Sequence, residues 1–297
     1  CHVVEDVADP EPGSATALPE PGELRHVLSR LGTGLTPCRR QRQGDDLDLD
    51  ALVEARVDQR AGGRGSDDVY LENLRRRRDL SVLVLLDVSG SAAEPGVAGR
   101  TVHEHQRDAA AALTTVLHRL GDRVGLYAFN SRGRKAVRVT RVKGFDELAD
   151  GCTSRRLDGL QPGAYTRVGA AIRHGAAVLE REGGTPRRLL VVLSDGFAYD
   201  HGYEGRYGEA DARRALLEAR RQGIGCLCLS VGADVDMAAL QRVFGSAAHA
   251  TIPTAEQLAA SIGPLFAAAL ASAEAQRRRF QRTERTRARL ASDKGRR

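Results

Sequence analysis

Cysteine is sparse in this 297-residue sequence, and it is not paired. The five cysteines, at 1, 38, 152, 226 and 228, form neither an even framework nor a C-x-x-C pair, so they read as reduced thiols rather than disulfides or metal ligands. Cys226 and Cys228 lie in "GIGCLCLSV", where a side-chain period of two puts both on one face of a strand as small apolar residues. Long apolar runs are missing as well. No stretch approaches the ~18 consecutive apolar residues that span a bilayer, and the opening "CHVVEDVADPEPGSA" lacks the basic and apolar regions of a signal peptide. These absences predict a cytoplasmic protein without membrane contact. The chain begins with Cys1 rather than Met and reads as a piece of a longer polypeptide.

Several catalytic signatures are also absent. There is no G-x-x-x-x-G-K-[ST], which argues against a nucleotide held by a P-loop. There is no G-x-S-x-G, so Ser194 in "VLSDG" has no nucleophile elbow. His103, His105, His118, His174, His201 and His249 are scattered without metal spacing, and His103 and His105, two apart at a helix start, read as solvent-facing. A metal-dependent hydrolase would need a base or a second metal, and no further carboxylate motif supplies one. The expectation is a protein that is not an enzyme.

Charge is present but unevenly placed. The net charge is +6, yet residues 277–297, "RRRFQRTERTRARLASDKGRR", hold ten Lys/Arg against two acids, so the rest of the chain is slightly acidic. With Phe280 the only aromatic there for base stacking, the tail reads as a solvated helix end and not as a nucleic-acid arm.

Residues 1–44 are rich in Pro, Gly, Glu and Asp without sustained periodicity, which predicts a disordered linker. Residues 45–78 follow as a helical lead-in, with Leu49, Leu52, Val53 and Val57 at helical spacing and the basic "YLENLRRRRDL" before the first strand of the main domain. From residue 80 the pattern is regular. "LSVLVLLD" has the continuous aliphatic character of a strand buried on both faces. The pattern then predicts a helix over 103–120, strands over 122–130 and 135–142, a helix over 167–181 and a strand over 187–195. A helix over 209–222, a strand over 224–232, a short helix over 236–243, a brief strand at "AHATIP" and an Ala-rich helix over 254–280 complete the order. Alternating strands and helices imply a three-layer, doubly wound, mostly parallel α/β sheet, and the 122–142 hairpin allows one antiparallel edge strand.

In such a sheet, ligands bind beyond the C-terminal strand ends where the strand order reverses. "LLDVSGS" places Asp87, Ser89 and Ser91 after the first strand, Thr166 precedes a helix, and Asp195 ends a later strand in "LSDG". Two carboxylates and three hydroxyls make an all-oxygen donor set. That set suits Mg2+ or Mn2+, whereas zinc prefers nitrogen or sulfur. Two acids roughly neutralise the ion, and neutral hydroxyls leave it electrophilic enough to accept a carboxylate from outside.

With these residues in place, "LLDVSGS", "AYTRVGAAIR" and "LLVVLSDG" resemble the three pieces of the metal-ion-dependent adhesion site of a von Willebrand factor type A domain, over about residues 79–270. The resemblance implies that Asp87, Ser89, Ser91, Thr166 and Asp195 hold the metal, the aspartates and Thr166 partly through water, in a Rossmann-like fold, with residues 271–297 as a basic tail. A narrower resemblance lies in "SDGFAYDHGYEGRYGEADARRALLEARRQGI", which is similar to bacterial proteins related to nitric oxide reductase activation protein D and the Rubisco-activase adaptor. That likeness implies an adaptor. It would capture an exposed Asp or Glu of a partner and work with a MoxR-type AAA+ ATPase to activate or remodel a target enzyme. The long helical N-terminal part usual in those proteins is not in this sequence. Phe197, Tyr199, Tyr203 and Tyr207, in a Gly-rich stretch beside the site, are the candidate partner-binding aromatics. The alternatives are a surface adhesion module using the same site, or a metal-dependent hydrolase.

Overall fold

The computed structural model describes residues 2–6, 22–31, 35–44, 46–63, 66–75, 79–195, 200–233 and 237–294. The chain divides into two compact units, residues 29–78 and the remainder.

The chain opens with β1 (His2–Asp6) and α1 (Gly22–Arg30), which buries Leu24 and Leu28 one turn apart. In the smaller unit, β2 (Leu35–Gln41), β3 (Asp46–Leu47) and β4 (Tyr70–Arg75) form an antiparallel sheet in the order β2-β4-β3, with α2 (Leu49–Arg60) inserted between β3 and β4. The Asp48 carboxylate caps α2 by accepting from Ala51 N. This helix does not bury the stripe expected from its sequence. Leu49, Leu52, Val53 and Val57 are exposed, and Ala51 and Ala55 are buried instead. At ~100° per residue the alanine line lies opposite the larger side chains, so helical spacing was legible but the face it turns inward was not.

The larger unit continues with β5 (Leu80–Asp87), α3 (Val102–Arg119), β6 (Arg123–Ser131), β7 (Val137–Lys143), α4 (Gly151–Asp158), α5 (Val168–Glu182) and β8 (Arg187–Leu193). It ends with α6 (Arg206–Arg221), β9 (Ile224–Val231), α7 (Met237–Phe244), β10 (Ala248–Ile252) and α8 (Leu258–Lys294). Its seven strands run in the order β1-β7-β6-β5-β8-β9-β10, and only the β6–β7 pairing is antiparallel. All eight residues of β5 are buried, as its aliphatic run requires for a central strand. Leu83 and Leu85 face a core shared with Ile172 and Leu179 of α5 and with Ala212 and Leu216 of α6. On the opposite face, α8 packs on β8, β9 and β10, with the Ala269 carbonyl close over Gly225. The expected three-layer, mostly parallel α/β sheet is therefore present.

Several details depart from the sequence reading. The stretch expected to be a linker contains β1, α1 and β2. The antiparallel β7 is not at the edge, because β1 pairs parallel to it with Val4 opposite Val139. The helix α4 was not anticipated; it is short and polar, and the Asp150 carboxylate starts it by accepting from Cys152 N and Thr153 N. His103 and His105 are buried rather than solvent-facing, with Nε2 of each against a main-chain carbonyl, Leu160 O at 3.2 Å and Val97 O at 2.9 Å. The stretch Ala255–Arg279 is long and apolar enough to cross a membrane by length and composition, although no unbroken apolar run signals it. Its Leu258, Ile262, Phe266 and Leu270 are buried in the domain.

Candidate metal centre

The chain leaves β5 toward β6 on one side and later returns to β8 on the other, so strand order reverses at β5. Asp87 is the last residue of β5, and Asp195 follows β8 by two residues. Parallel pairing of β5 with β8 brings the two strand ends together, and both carboxylate-bearing residues are buried. Burial, then repulsion from Asp195, pushes the Asp87 carboxyl up to about 7, against hydrogen bonds that favour its charged form. Those bonds come from Ser194 Oγ to Oδ2 at 2.8 Å and from Ser89 N to Oδ1 at 3.0 Å. Two buried carboxylates that repel one another describe a site suited to a positive ion.

Two serine hydroxyls follow Asp87 in the same loop. Ser89 Oγ and Ser91 Oγ lie 3.1 Å apart, turned the same way as the spacing of two predicts. The turn that carries Thr166 is stitched to the β5 loop by Gly90 N donating to Ala164 O and Gly163 N donating to Val88 O, each at 2.9 Å. A glycine at 90 eases that approach, since a Cβ there would stand 3.1 Å from Ala164 O. Ala164 itself has φ 64°, a left-handed conformation unusual for a residue with a Cβ. Thr166 Oγ1 is buried and has no hydrogen-bond partner. A buried hydroxyl without a partner is costly, and a cation or its bound water would satisfy it. Among the described residues no three His, Cys, Asp or Glu gather as a metal cluster, so what is assembled is two carboxylates plus hydroxyls. The residues that could hold an ion are thus Asp87, Ser89, Ser91, Thr166 and Asp195.

Sequence reasoning missed the supports. Gln106 on α3, fully buried and with its amide oriented to satisfy both neighbours, donates to Asp87 O and accepts from Asp195 N, each at 3.3 Å. Asp200, also fully buried, accepts from Arg167 Nε at 2.7 Å, Ser131 Oγ at 2.9 Å, Gly133 N at 2.9 Å and His201 N at 2.7 Å. Burial opposes ionisation of Asp200, but the Arg167 bond and the others outweigh it and hold the carboxyl below its usual value. The only sequence signal for this network was the narrower family likeness around residue 200.

The proposed aromatic surface is only partly where the sequence put it. Phe197 and Tyr199 lie outside the described residues. Tyr203 is buried, not exposed: its hydroxyl donates to Asp211 Oδ2 at 2.6 Å, and the Arg167 guanidinium stacks 4.7 Å from its ring centre. Tyr207 is 62% exposed and meets the Tyr203 ring edge-on at 5.5 Å. Tyr203 is therefore a packing residue, and Tyr207 remains available to a partner.

Residues 82–197 match the von Willebrand factor type A domain family. The chain contains a von Willebrand factor type A domain. Across most of its length it is also similar to Protein NorD of Brucella suis, 37% identical over 82% of this chain and 38% of that protein. An uncharacterized Pseudomonas aeruginosa protein is 39% identical over 86% of this chain and 43% of its own length. The chain thus spans about two fifths of the curated relatives it matches. Among solved structures, a von Willebrand factor type A protein from Catenulispora acidiphila aligns with TM-score 0.45 and 16% identity, covering 67% of this chain and 44% of that one. The domain type and the NorD-like relatives indicate a protein-interaction module built around a divalent-metal site.

Proposed function

We propose that this chain is a cytoplasmic adaptor, not an enzyme, that captures an exposed Asp or Glu of a partner protein through a Mg2+ or Mn2+ ion. Asp87 and Asp195 would hold the ion, with Ser89, Ser91 and Thr166 completing its surroundings. When bound, the ion supplies a positive, unsaturated centre for an incoming carboxylate. The chain's own groups do the rest. Ser194 and Ser89 N orient Asp87, Gln106 ties the two aspartate main chains together, and exposed Tyr207 offers an aromatic contact near the site. The likeness to nitric oxide reductase activation protein D supports a further step, cooperation with a MoxR-type AAA+ ATPase to activate or remodel a target enzyme.

What supports the metal reading is the pair of buried aspartates at the strand reversal, the adjoining Ser89 and Ser91 hydroxyls, and a buried Thr166 hydroxyl without a partner. A pull-down of a MoxR-type ATPase and its target with wild type and Asp87→Ala, with and without Mg2+, tests it. Capture should require both Mg2+ and Asp87; capture by Asp87→Ala at the wild-type level in Mg2+ would sink the mechanism.

A further inference from the structure

The hairpin joining β6 to β7 projects from the C-terminal end of β6, the same end of the sheet at which Asp87 leaves β5. From Ser131 to Arg141 it carries Arg132, Arg134, Lys135, Arg138 and Arg141 and no acid. Arg132, Arg134 and Lys135 are exposed at its tip. The tip is not free to swing, because Asp200 accepts from Ser131 Oγ and Gly133 N, and Tyr165 exchanges main-chain hydrogen bonds with Ser131 at 2.7 and 2.9 Å.

Between this hairpin and the turn before Thr166 lies a cleft of about 330 Å3, lined by Asn130, Arg132, Arg138, Gln161, Gly163 and Ala164 among others. Among the described residues, no acidic or aromatic side chain lines it. Its far wall is also the wall of the candidate metal centre: Gly163 and Ala164 line the cleft and make the two hydrogen bonds that fix the β5 loop. Asn130 Nδ2 reaches across to Gly163 O at 3.2 Å and closes the floor.

We propose that this cleft is a second anchor for the same partner, taking an acidic side chain of the partner segment that places a first carboxylate at the metal. The first anchor rests on the metal-capture reading; the second rests on Arg132, which lines the cleft and is exposed. Arginine suits the task because its planar fork pairs with carboxylates at two points. The described lining carries arginine and no acid, which suits an acidic peptide, and competition by oligo(dT) tests nucleic acid as the other occupant. Two anchors sharing one wall explain how a site that recognises only a carboxylate becomes selective: a lone surface Asp satisfies one, and a segment with two or more acids satisfies both.

The test uses the full chain and two fluorescein-labelled Gly/Ser peptides, one with six consecutive aspartates and one with a single aspartate, followed by fluorescence anisotropy. In Mg2+ the six-aspartate peptide should bind about tenfold tighter or more. Arg132→Gln, and separately the charge-reversing Arg132→Glu, should shrink that excess to about twofold or less while both peptides keep their dependence on Mg2+. Asp87→Ala should remove the Mg2+ dependence and, with a single anchor left, shrink the excess to about twofold as well, while the remaining binding still falls on Arg132→Gln. If neither peptide responds to Mg2+ but the binding of both still depends on Arg132, the metal reading fails and the cleft stands. Equal binding of the two peptides, an excess untouched by both arginine variants, or stronger displacement by oligo(dT) than by the six-aspartate peptide overturns the proposal.

Discussion

Arg167 Nε donates to Asp200 Oδ2 at 2.7 Å, with the arginine side chain 10% exposed and the aspartate fully buried. Arg167 follows Thr166, and Asp200 lies five residues past Asp195. The pair therefore ties together two of the three segments that build the candidate metal centre, and Asp200 adds the β6–β7 hairpin through Ser131 and Gly133.

Breaking a buried ion pair from one side leaves the other charge uncompensated and costs about 3–5 kcal/mol. Asp200→Ala should lower stability by about that much, read as a shifted urea midpoint, and should weaken Mg2+ binding although Asp200 lies outside the donor set. A loss below about 1 kcal/mol would mean the pair is better solvated than its burial indicates.

The Asp87 carboxyl, buried and beside Asp195, makes metal-free stability depend on pH. The Asp87 carboxyl stands at about 7 in the folded chain against an ordinary 3.8, so between those values the folded state keeps a proton the unfolded state has lost. Stability without metal should then be greatest below about pH 4 and fall as pH rises to about 7, by up to about 1.4 kcal/mol per unit. A bound cation reverses this, because it favours the charged carboxylate. Thermal melts in chelator and in excess Mg2+ should diverge from pH 5 to pH 8, and Asp87→Asn should flatten the chelator curve. A Mg2+ stabilisation as large at pH 5 as at pH 8 would contradict this account.

Thr166 allows a clean separation of folding from binding. Its Oγ1 has no partner to lose, so Thr166→Val should change metal-free stability by less than about 1 kcal/mol while weakening Mg2+ affinity about tenfold or more. Calorimetric titration beside a melt decides it; unchanged affinity would remove Thr166 from the site.

The two tyrosines should respond in opposite ways. Tyr203→Phe deletes the bond to Asp211 and the acceptor for Gly169 N, which should cost about 1–2 kcal/mol of stability. Tyr207→Ala, at an exposed ring, should leave the melt nearly unchanged and reduce partner capture. Equal destabilisation by both would show that Tyr207 is packed in solution.

The main sheet was legible because "LSVLVLLD" and "RRLLVVLSD" carry their burial in their composition, and the strand ends point to Asp87 and Asp195 without further information. The supports were not legible. Gln106 is a polar residue on an apolar helix face, Asp200 sits in a Gly-rich stretch, and neither type of residue announces burial until the chain folds around it. The α2 stripe failed for a related reason: periodicity fixes which residues share a face, not which face meets the core.

The pairing of β1 with β7 bears on how the domain can be cut. The matched family region begins at residue 82, but five residues far upstream, His2–Asp6, cover the edge of β7. A fragment trimmed to the family boundary would present β7 as an open strand with unpaired amides, the template on which sheets from separate molecules join. Aggregation of such a fragment would reflect the lost strand, not an intrinsically unstable domain, and supplying residues 2–6 as a peptide should suppress it.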